Sequence, residues 1–345
     1  MSLPRIALTL GDPAGVGPEI VVAAWQQPAV HQFCRPLVVG HPEIVRRAVR
    51  LLKLEAAVQE IAAVAEARPS ASVIPVLKSG SDDVVDVPAS AVDRRAGQAA
   101  YDALVAAARL ALAGDVQAIT TAPLHKGALW LAGHHYPGHT ELLAELCGVQ
   151  DFAMMLYLGP GSAVRGPNGL AIVHVTLHMA LAQVFASLTP EAVLAKSHLV
   201  HNVMSALQGS APRVAVCALN PHGGEDGLFG HEEQTIIRPA VERGIAEGLN
   251  LTGPLPADTL IARARDGRFD AIVAMYHDQG HIAIKLLAMH KAVNVTLGLP
   301  IVRTSVAHGT AFDIAWRGEA EFGGMVEALR VAARLAEARG IVFSV

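Results

Sequence analysis

Three histidines stand just beyond apolar runs of the kind that form buried strands. His277 lies in Met275-Tyr276-His277-Asp278-Gln279-Gly280 after the run Phe269 to Ala274. His178 follows Leu170 to Val175, and His222 follows Val214 to Leu219 within Leu219-Asn220-Pro221-His222-Gly223-Gly224. A strand that ends this way delivers its side chains to the carboxyl edge of an open sheet, where α/β enzymes keep their chemistry. Three such imidazoles are what a divalent metal site with open coordination positions requires. A metal-assisted reaction is the first expectation. His277 and His281 are four apart and would share a helix face, but Gln279 and Gly280 favour a loop at His277.

A second set suits an anionic substrate. Arg303 ends Leu299-Pro300-Ile301-Val302, and a lone arginine at a strand exit is fitted to bidentate recognition of phosphate or carboxylate. Lys285 and Asn294 belong with it by residue type, and His139 and Thr140 stand at a helix start, where Thr140 also reads as an N-cap. Taken singly, each of these residues is better explained by structure than by function.

Two glycine-containing segments form a third set. Leu10-Gly11-Asp12-Pro13-Ala14-Gly15-Val16-Gly17 joins a first strand to a helix, and its glycines lack the G-x-G-x-x-G spacing. A ligand-approaching loop and a tight structural turn are equally good readings. His308-Gly309-Thr310-Ala311-Phe312-Asp313 is polar at its start and helix-like after it. Asp313 is placed either to accept hydrogen bonds from both hydroxyls of a ribose or to cap that helix.

The elements that must position these residues follow from the apolar pattern. Arg5 to Leu10, Pro36 to Val39, Ser72 to Val76, Ala118 to Thr121, Ala153 to Tyr157, Leu170 to Val175, Val214 to Leu219, Asp270 to Ala274, Ala292 to Thr296 and Ile301 to Thr304 read as short strands. Helices alternate with them, most clearly Gly97 to Ala113. Near-continuous apolar strands between helices predict an α/β fold with mostly parallel sheets covered on both faces. Residues 159–169 predict a hairpin or flexible loop.

The chain has 345 residues, 52% of them hydrophobic, enough for about two domains. The cofactor-type motifs lie near both chain ends. Residues 1–121 with 298–345 are therefore expected to form one discontinuous domain, and 122–297 a metal, substrate and dimerisation domain. A net charge of -4 without a basic block argues against nucleic acid, and no apolar run approaches a membrane span. The start has no secretory pattern, and Cys34, Cys147 and Cys217 are widely spaced, which predicts reduced thiols in a cytoplasmic protein.

Together the motifs closely resemble the 4-hydroxythreonine-4-phosphate dehydrogenase family, from Gly11-Asp12-Pro13-Ala14-Gly15 to Gly309-Thr310-Ala311-Phe312-Asp313. Between them lie Tyr136-Pro137-Gly138-His139-Thr140-Glu141, Leu219-Asn220-Pro221-His222, Met275 to Gly280 and Asn294 to Pro300. The resemblance implies a two-domain fold like that of isocitrate and isopropylmalate dehydrogenases, with the active site in the interdomain cleft. It implies that His178, His222 and His277 bind a divalent metal (zinc, magnesium, manganese or cobalt) shared across a homodimer interface. Substrate contacts fall on His139, Thr140, Lys285, Asn294 and Arg303. This leaves His134 and His135 as surface or packing residues. Gly11, Asp12, Gly15, His308, Gly309, Thr310 and Asp313 are the implied cofactor residues, for NAD or NADP.

The implied reaction is NAD-linked oxidative decarboxylation of a phosphorylated four-carbon hydroxy acid. First among the substrates is 4-phosphooxy-L-threonine, in pyridoxine biosynthesis. The alternative is D-threonate or D-erythronate 4-phosphate, giving dihydroxyacetone phosphate and carbon dioxide. Asp278 and Lys126 are the two candidates for taking the hydroxyl proton. Two departures mark this chain: residues 159–169 form a longer loop than the family leads one to expect, and Trp316 stands where a small residue is usual. A metal-dependent hydrolase or a phosphate-ligand binding protein is the reading from another class, and it would have no need of the 308–313 segment.

Overall fold

The computed structural model describes residues 3–338. Its strands are numbered β1–β12 and its helices α1–α12 in chain order. The chain forms two compact units, one of residues up to Gln150 together with Leu299–Glu337, the other Asp151–Gly298.

The first unit contains β1 (Arg5–Thr9), β2 (Arg35–Gly40), β3 (Ala57–Ile61), β4 (Val73–Lys78), β5 (Ala118–Thr121) and β12 (Val302–Val306). They run in the order β3-β4-β2-β1-β5-β12, and every pairing is parallel. Strands β1, β5 and β12 are buried almost throughout, which is why they read as apolar runs rather than alternating ones. Where a hydroxyl enters this core it is satisfied: Thr304 Oγ1 lies 3.0 Å from Thr120 Oγ1 and donates to the Ala328 carbonyl at 2.9 Å. The helices are α1 (Gly17–Trp25), α2 (Val30–Phe33), α3 (Pro42–Leu51), α4 (Arg94–Ala113), α5 (Lys126–Leu131), α6 (His139–Leu146) and α12 (Gly323–Glu337). Helix α4 begins three residues before its apolar stripe because the Asp93 side chain accepts the Arg95 N–H, and it stops at left-handed Gly114.

Residues 122–150 belong to this first unit, whereas the sequence pattern placed the boundary after residue 121. The reason is close helix packing. Gly97 of α4 lies so near α5 that an added Cβ would stand 2.0 Å from the Ala128 carbonyl oxygen. Residues 339–345 of the expected first domain lie outside the described residues, as do residues 1 and 2.

The second unit contains β6 (Ala153–Leu158), β7 (Leu170–His174), β8 (Val214–Cys217), β9 (Leu251–Leu255), β10 (Ala271–Ala274) and β11 (Val293–Leu297), in the order β11-β6-β7-β10-β8-β9. Strands β11, β6 and β7 pair antiparallel, and the others parallel. Residues 159–169 link antiparallel β6 and β7, with Leu158 opposite Leu170, so this segment is the connection of a hairpin. The helices are α7 (Leu181–Ser187), α8 (Pro190–Gln208), α9 (Arg238–Ala246), α10 (Ala257–Arg265) and α11 (His277–Ala288).

Strands β3 and β9 are absent from the sequence reading. Each ends its sheet order, and the residues of β3 are largely exposed, so neither carries a buried apolar run. Cys34 and Cys217 are buried free thiols, both pushed up to about 12 by burial. Among the described residues no helix is long and apolar enough to cross a membrane.

Candidate active site

The carboxyl ends of β7 and β10 bring histidines of the second unit together. His277 is the first residue of α11, which corrects the expectation of a loop at that position. Its Nδ1 lies 2.7 Å from Asp278 Oδ1, a contact that fixes the ring and leaves Nε2 available. His281, one turn on, stacks on His277 with ring centroids 3.7 Å apart, and its Nδ1 lies 3.1 Å from Nε2 of His174 at the end of β7. Burial holds His174 down at about 4 and His281 at about 3, and neighbouring positive charge pushes both the same way. They form a neutral packed pair behind His277. Sequence reasoning missed His174 altogether and dismissed the His277–His281 spacing, which was the one available signal.

His178 is exposed after β7, and its ring centroid stands 5.8 Å from that of His277. At a nitrogen–metal distance of about 2.1 Å, two imidazoles on one tetrahedral ion have centroids about 5–6 Å apart, so this pair fits a shared ion. His222 is not brought to them. It sits on an exposed turn in which residues 222–226 are all left-handed, with its ring 6.4 Å from Phe229. That turn is pinned at its base by buried Glu233, which accepts the N–H groups of Leu219 (2.8 Å) and Asn220 (2.7 Å). Burial alone would raise the Glu233 carboxyl, but these hydrogen bonds outweigh it and lower it. Among the described residues no three His, Cys, Asp or Glu side chains of one chain gather as a metal site. His178 and His277 are two donors at a spacing one ion could bridge.

Lys285 follows on the same face of α11, two turns beyond His277, and its charge reaches His281. Asn294 of β11 donates to Met154 Sδ at 3.3 Å, while its buried Oδ1 has no hydrogen-bond partner. An orphan buried acceptor is costly without a ligand or water to meet it.

In the first unit, Arg303 is the second residue of β12, which corrects the expectation of a strand exit; it is 2% exposed and donates to Thr121 Oγ1 at 2.7 Å. Burial pulls its guanidinium down to about 10, opposed by the Glu141 carboxylate. His139 opens α6 with Gly138, not Thr140, at the cap position, and Thr140 is buried in the first turn. The N-cap reading of Thr140 therefore fails. Burial drives the His139 imidazole well below its ordinary 6.5 and the Arg303 charge acts in the same sense, against a hydrogen bond with the Ala122 backbone. A buried cation and a buried hydroxyl in one unit are donors suited to an anion, while neutral His139 keeps its N–H on the Ala122 backbone. Lys126 is exposed at the start of α5.

The 308–313 segment is not helical. Residues 312–318 form successive turns, with Ala311 at φ +43 and Trp316 at φ +62. Asp313 is exposed and, among the described residues, caps no helix. His308 Nδ1 lies 2.9 Å from the Gly309 carbonyl oxygen. Gly11, Asp12 and Gly15 are buried, and a Cβ on Gly15 would meet the Thr310 carbonyl oxygen at 2.8 Å. Val16 N–H donates to that same oxygen at 3.0 Å. The glycines of this turn thus serve close approach of one protein segment to another.

Asp12 has one oxygen accepting the Ala14 N–H at 2.8 Å and another, Oδ2, buried without a partner. Burial raises its carboxyl from 3.8 to about 7, against that hydrogen bond, and Asp93 adds to the rise. A group raised on folding contributes stability that is whole below its unfolded value and is lost as the pH climbs through its folded value. Asp12→Asn keeps the acceptor for Ala14 and should be more stable than the parent above about pH 7, the advantage vanishing near about pH 4. The full span is on the order of 4 kcal/mol. Melting temperatures across that range check this; a constant difference would mean that Asp12 does not titrate there.

Other histidines serve structure. His41 caps α3, His134 stacks on Tyr101 at 3.5 Å, His135 stacks on Trp130 at 4.0 Å and His198 pairs with Glu247.

The family model for the pyridoxal phosphate biosynthetic protein PdxA matches residues 32–332. A 4-hydroxythreonine-4-phosphate dehydrogenase of Trichlorobacter lovleyi is 44% identical over 340 residues, 97% of this chain and 98% of that one. A D-threonate 4-phosphate dehydrogenase of Salmonella typhimurium is 42% identical, covering 97% of this chain and all of that one. The crystal structure of a 4-hydroxythreonine-4-phosphate dehydrogenase from Burkholderia phymatum superposes with a TM-score of 0.82 at 43% identity, over 97% of this chain and 99% of that one. With such matches along nearly its whole length, the chain belongs to the family of the pyridoxal phosphate biosynthetic protein PdxA.

Proposed function

We propose that this protein is a metal-dependent, NAD-linked dehydrogenase that oxidatively decarboxylates a phosphorylated four-carbon hydroxy acid. 4-Phosphooxy-L-threonine is the first substrate, and D-threonate or D-erythronate 4-phosphate the second. The observation that carries the reading is buried Arg303, a desolvated cation with His139 and Thr140 nearby in the same unit, in a family whose named relatives act on 4-phosphates. The second substrate is kept because D-threonate enzymes match at almost the same identity as 4-hydroxythreonine enzymes.

In this reading Arg303 and Thr140 donate to the phosphate and hold the far end of the substrate, with neutral His139 packed against it and its N–H held by the Ala122 backbone, so that binding energy orients the reacting carbon. Asn294 presents its open Oδ1 to a substrate donor and Lys285 its ammonium to an anionic group. His178 and His277 would hold the divalent metal, with His222 of a second copy of the chain as the third ligand. When bound, the metal lowers the pKa of the hydroxyl on the carbon to be oxidised, and NAD accepts the hydride. Asp278, whose Oδ1 meets His277 Nδ1, and Lys126, as the neutral amine, are the two candidates for taking the hydroxyl proton. His308, Gly309, Thr310 and Asp313 face the nucleotide, with the buried Gly11, Asp12 and Gly15 backing them.

A homodimer is part of the proposal. Helix α11, which carries His277, also exposes Ile282 and Leu286 one turn apart, and Leu286 is 82% exposed. A second copy covering this apolar face would bring a further histidine to an incomplete pair. Leu286→Glu should yield monomers by light scattering and lose activity with them; an active monomer would contradict a shared site.

Asp313 supports NAD over NADP, because a carboxylate at the ribose hydroxyls repels a 2'-phosphate. Asp313→Ala should narrow or invert that preference and spare substrate affinity. The function as a whole is tested by following nicotinamide absorbance with the phosphorylated four-carbon acids, NAD or NADP, and each of zinc, magnesium, manganese and cobalt. Absence of reduction with every combination would favour a hydrolase or a binding protein.

A further inference from the structure

Glu19 of α1 is almost completely buried, and its two carboxylate oxygens each accept a backbone N–H at 2.6 Å, one from Trp316 and one from Gly318. The donors are 297 and 299 residues away in the chain. They sit between β12 and α12, in the non-helical segment 307–322. A connection of this length without regular structure leaves its backbone groups to be satisfied by something else. Here a buried carboxylate does so, at charge-assisted distances.

Trp316 is held on two further sides. Its indole Nε1 donates to the Pro13 carbonyl at 2.9 Å, and the Arg47 guanidinium lies 4.1 Å from the ring centroid. Its backbone is left-handed, a conformation that a bulky residue keeps only when its surroundings hold it there. The same segment is tied at its other end, where Val16 N–H donates to Thr310 and Ser90 Oγ donates to Phe312. Between these two anchors lies Asp313, exposed and with no hydrogen-bond or ion-pair partner among the described residues.

We infer that Glu19 and Trp316 are positioning residues, a strap that fixes the 307–322 segment in the conformation that presents His308, Thr310 and Asp313 to the nucleotide. The inference rests on the proposed cofactor reading. Neither side chain touches the nucleotide. Their part is to remove the ordering cost that a loose segment would meet on binding. Glu19→Gln leaves one acceptor and turns an NH2 group towards the second N–H; Trp316→Phe keeps the ring against Arg47 and removes only the bond to Pro13.

Trypsin reads the strap directly. The bond after exposed Arg317 has as its amide nitrogen the Gly318 N–H that Glu19 holds, so cleavage there requires the strap to open. Both variants should be cut at Arg317 about tenfold faster than the parent, with NAD restoring protection. The KM for NAD should rise about tenfold, while kcat and the KM for the phosphorylated substrate stay within about twofold. If Glu19→Gln does not fold, Trp316→Phe carries the test, since its change lies outside the core. Calorimetry with NAD on the parent protein separates the two ideas. No NAD binding by the parent defeats the cofactor reading; NAD binding by the parent, with unchanged cleavage and unchanged KM for NAD in the folded variants, overturns the strap.

Discussion

His277→Ala should abolish turnover, by about three orders of magnitude or more, and leave the fold intact. The loss expected for one first-row metal ligand is several kcal/mol of transition-state stabilisation. His277 is suited to that role by geometry: its Nδ1 is taken by Asp278, its neighbour His178 stands 5.8 Å away, and neutral His281 and His174 pack behind it. It is the first residue of α11 and about one third exposed, so removing it costs little packing. NAD affinity should change far less than activity. Metal content after chelation and dialysis, measured beside activity, checks the point. A variant that keeps the parent's turnover and metal would remove His277 from the site.

Arg303→Met should lower kcat/KM for the phosphorylated substrate by about two orders of magnitude or more, chiefly through KM, as follows from losing a buried charge-assisted contact worth about 3 kcal/mol. The argument begins with desolvation. A guanidinium 2% exposed and drawn down to about 10 is an unfavourable arrangement for the empty protein, only partly offset by Glu141 and Thr121. Methionine removes the charge facing Glu141 and the donor to Thr121, so some thermal stability should be lost as well. A variant that still folds cooperatively while substrate affinity collapses separates a binding role from a structural one. NAD binding should survive. Unchanged kcat/KM would place Arg303 among structural ion pairs, and the phosphate would need another anchor.

Much of the candidate site was legible in the sequence because His178, His222 and His277 follow apolar strands, and the strand pattern marks those ends, whereas Arg303 lies inside β12 as its second residue. The ten strands read from apolar runs all exist; a strand buried on both faces must be apolar along its length. Strands β3 and β9 were invisible for the converse reason. At the end of a sheet a strand is exposed, and its pairing is decided by backbone hydrogen bonds that any residue can make. The local chemistry of His277 was misjudged for a related reason. Gln279 and Gly280 weaken a helix, but Gln279 Oε1 accepts the Met275 N–H at 2.7 Å, and Gly280 is needed where an added Cβ would stand 2.5 Å from His174. Tertiary contact overrode propensity.

Residue type and spacing alone determined the α/β class and ten of the strands, and singled out the imidazoles, the arginine and the 308–313 segment as candidates. Only the tertiary structure decided which of these meet. It set His277 against His178 and His281 but left His222 apart on a left-handed turn, and it put residues 122–150, with His139, into the same unit as Arg303. It also joined Glu19 to Trp316 across 297 residues. The physical reason is that sequence pattern reports what a segment must bury, through periods of two and 3.6 residues. Contacts between segments far apart in the chain depend on how the buried faces stack, and a buried carboxylate that finds two backbone N–H groups leaves no periodic trace.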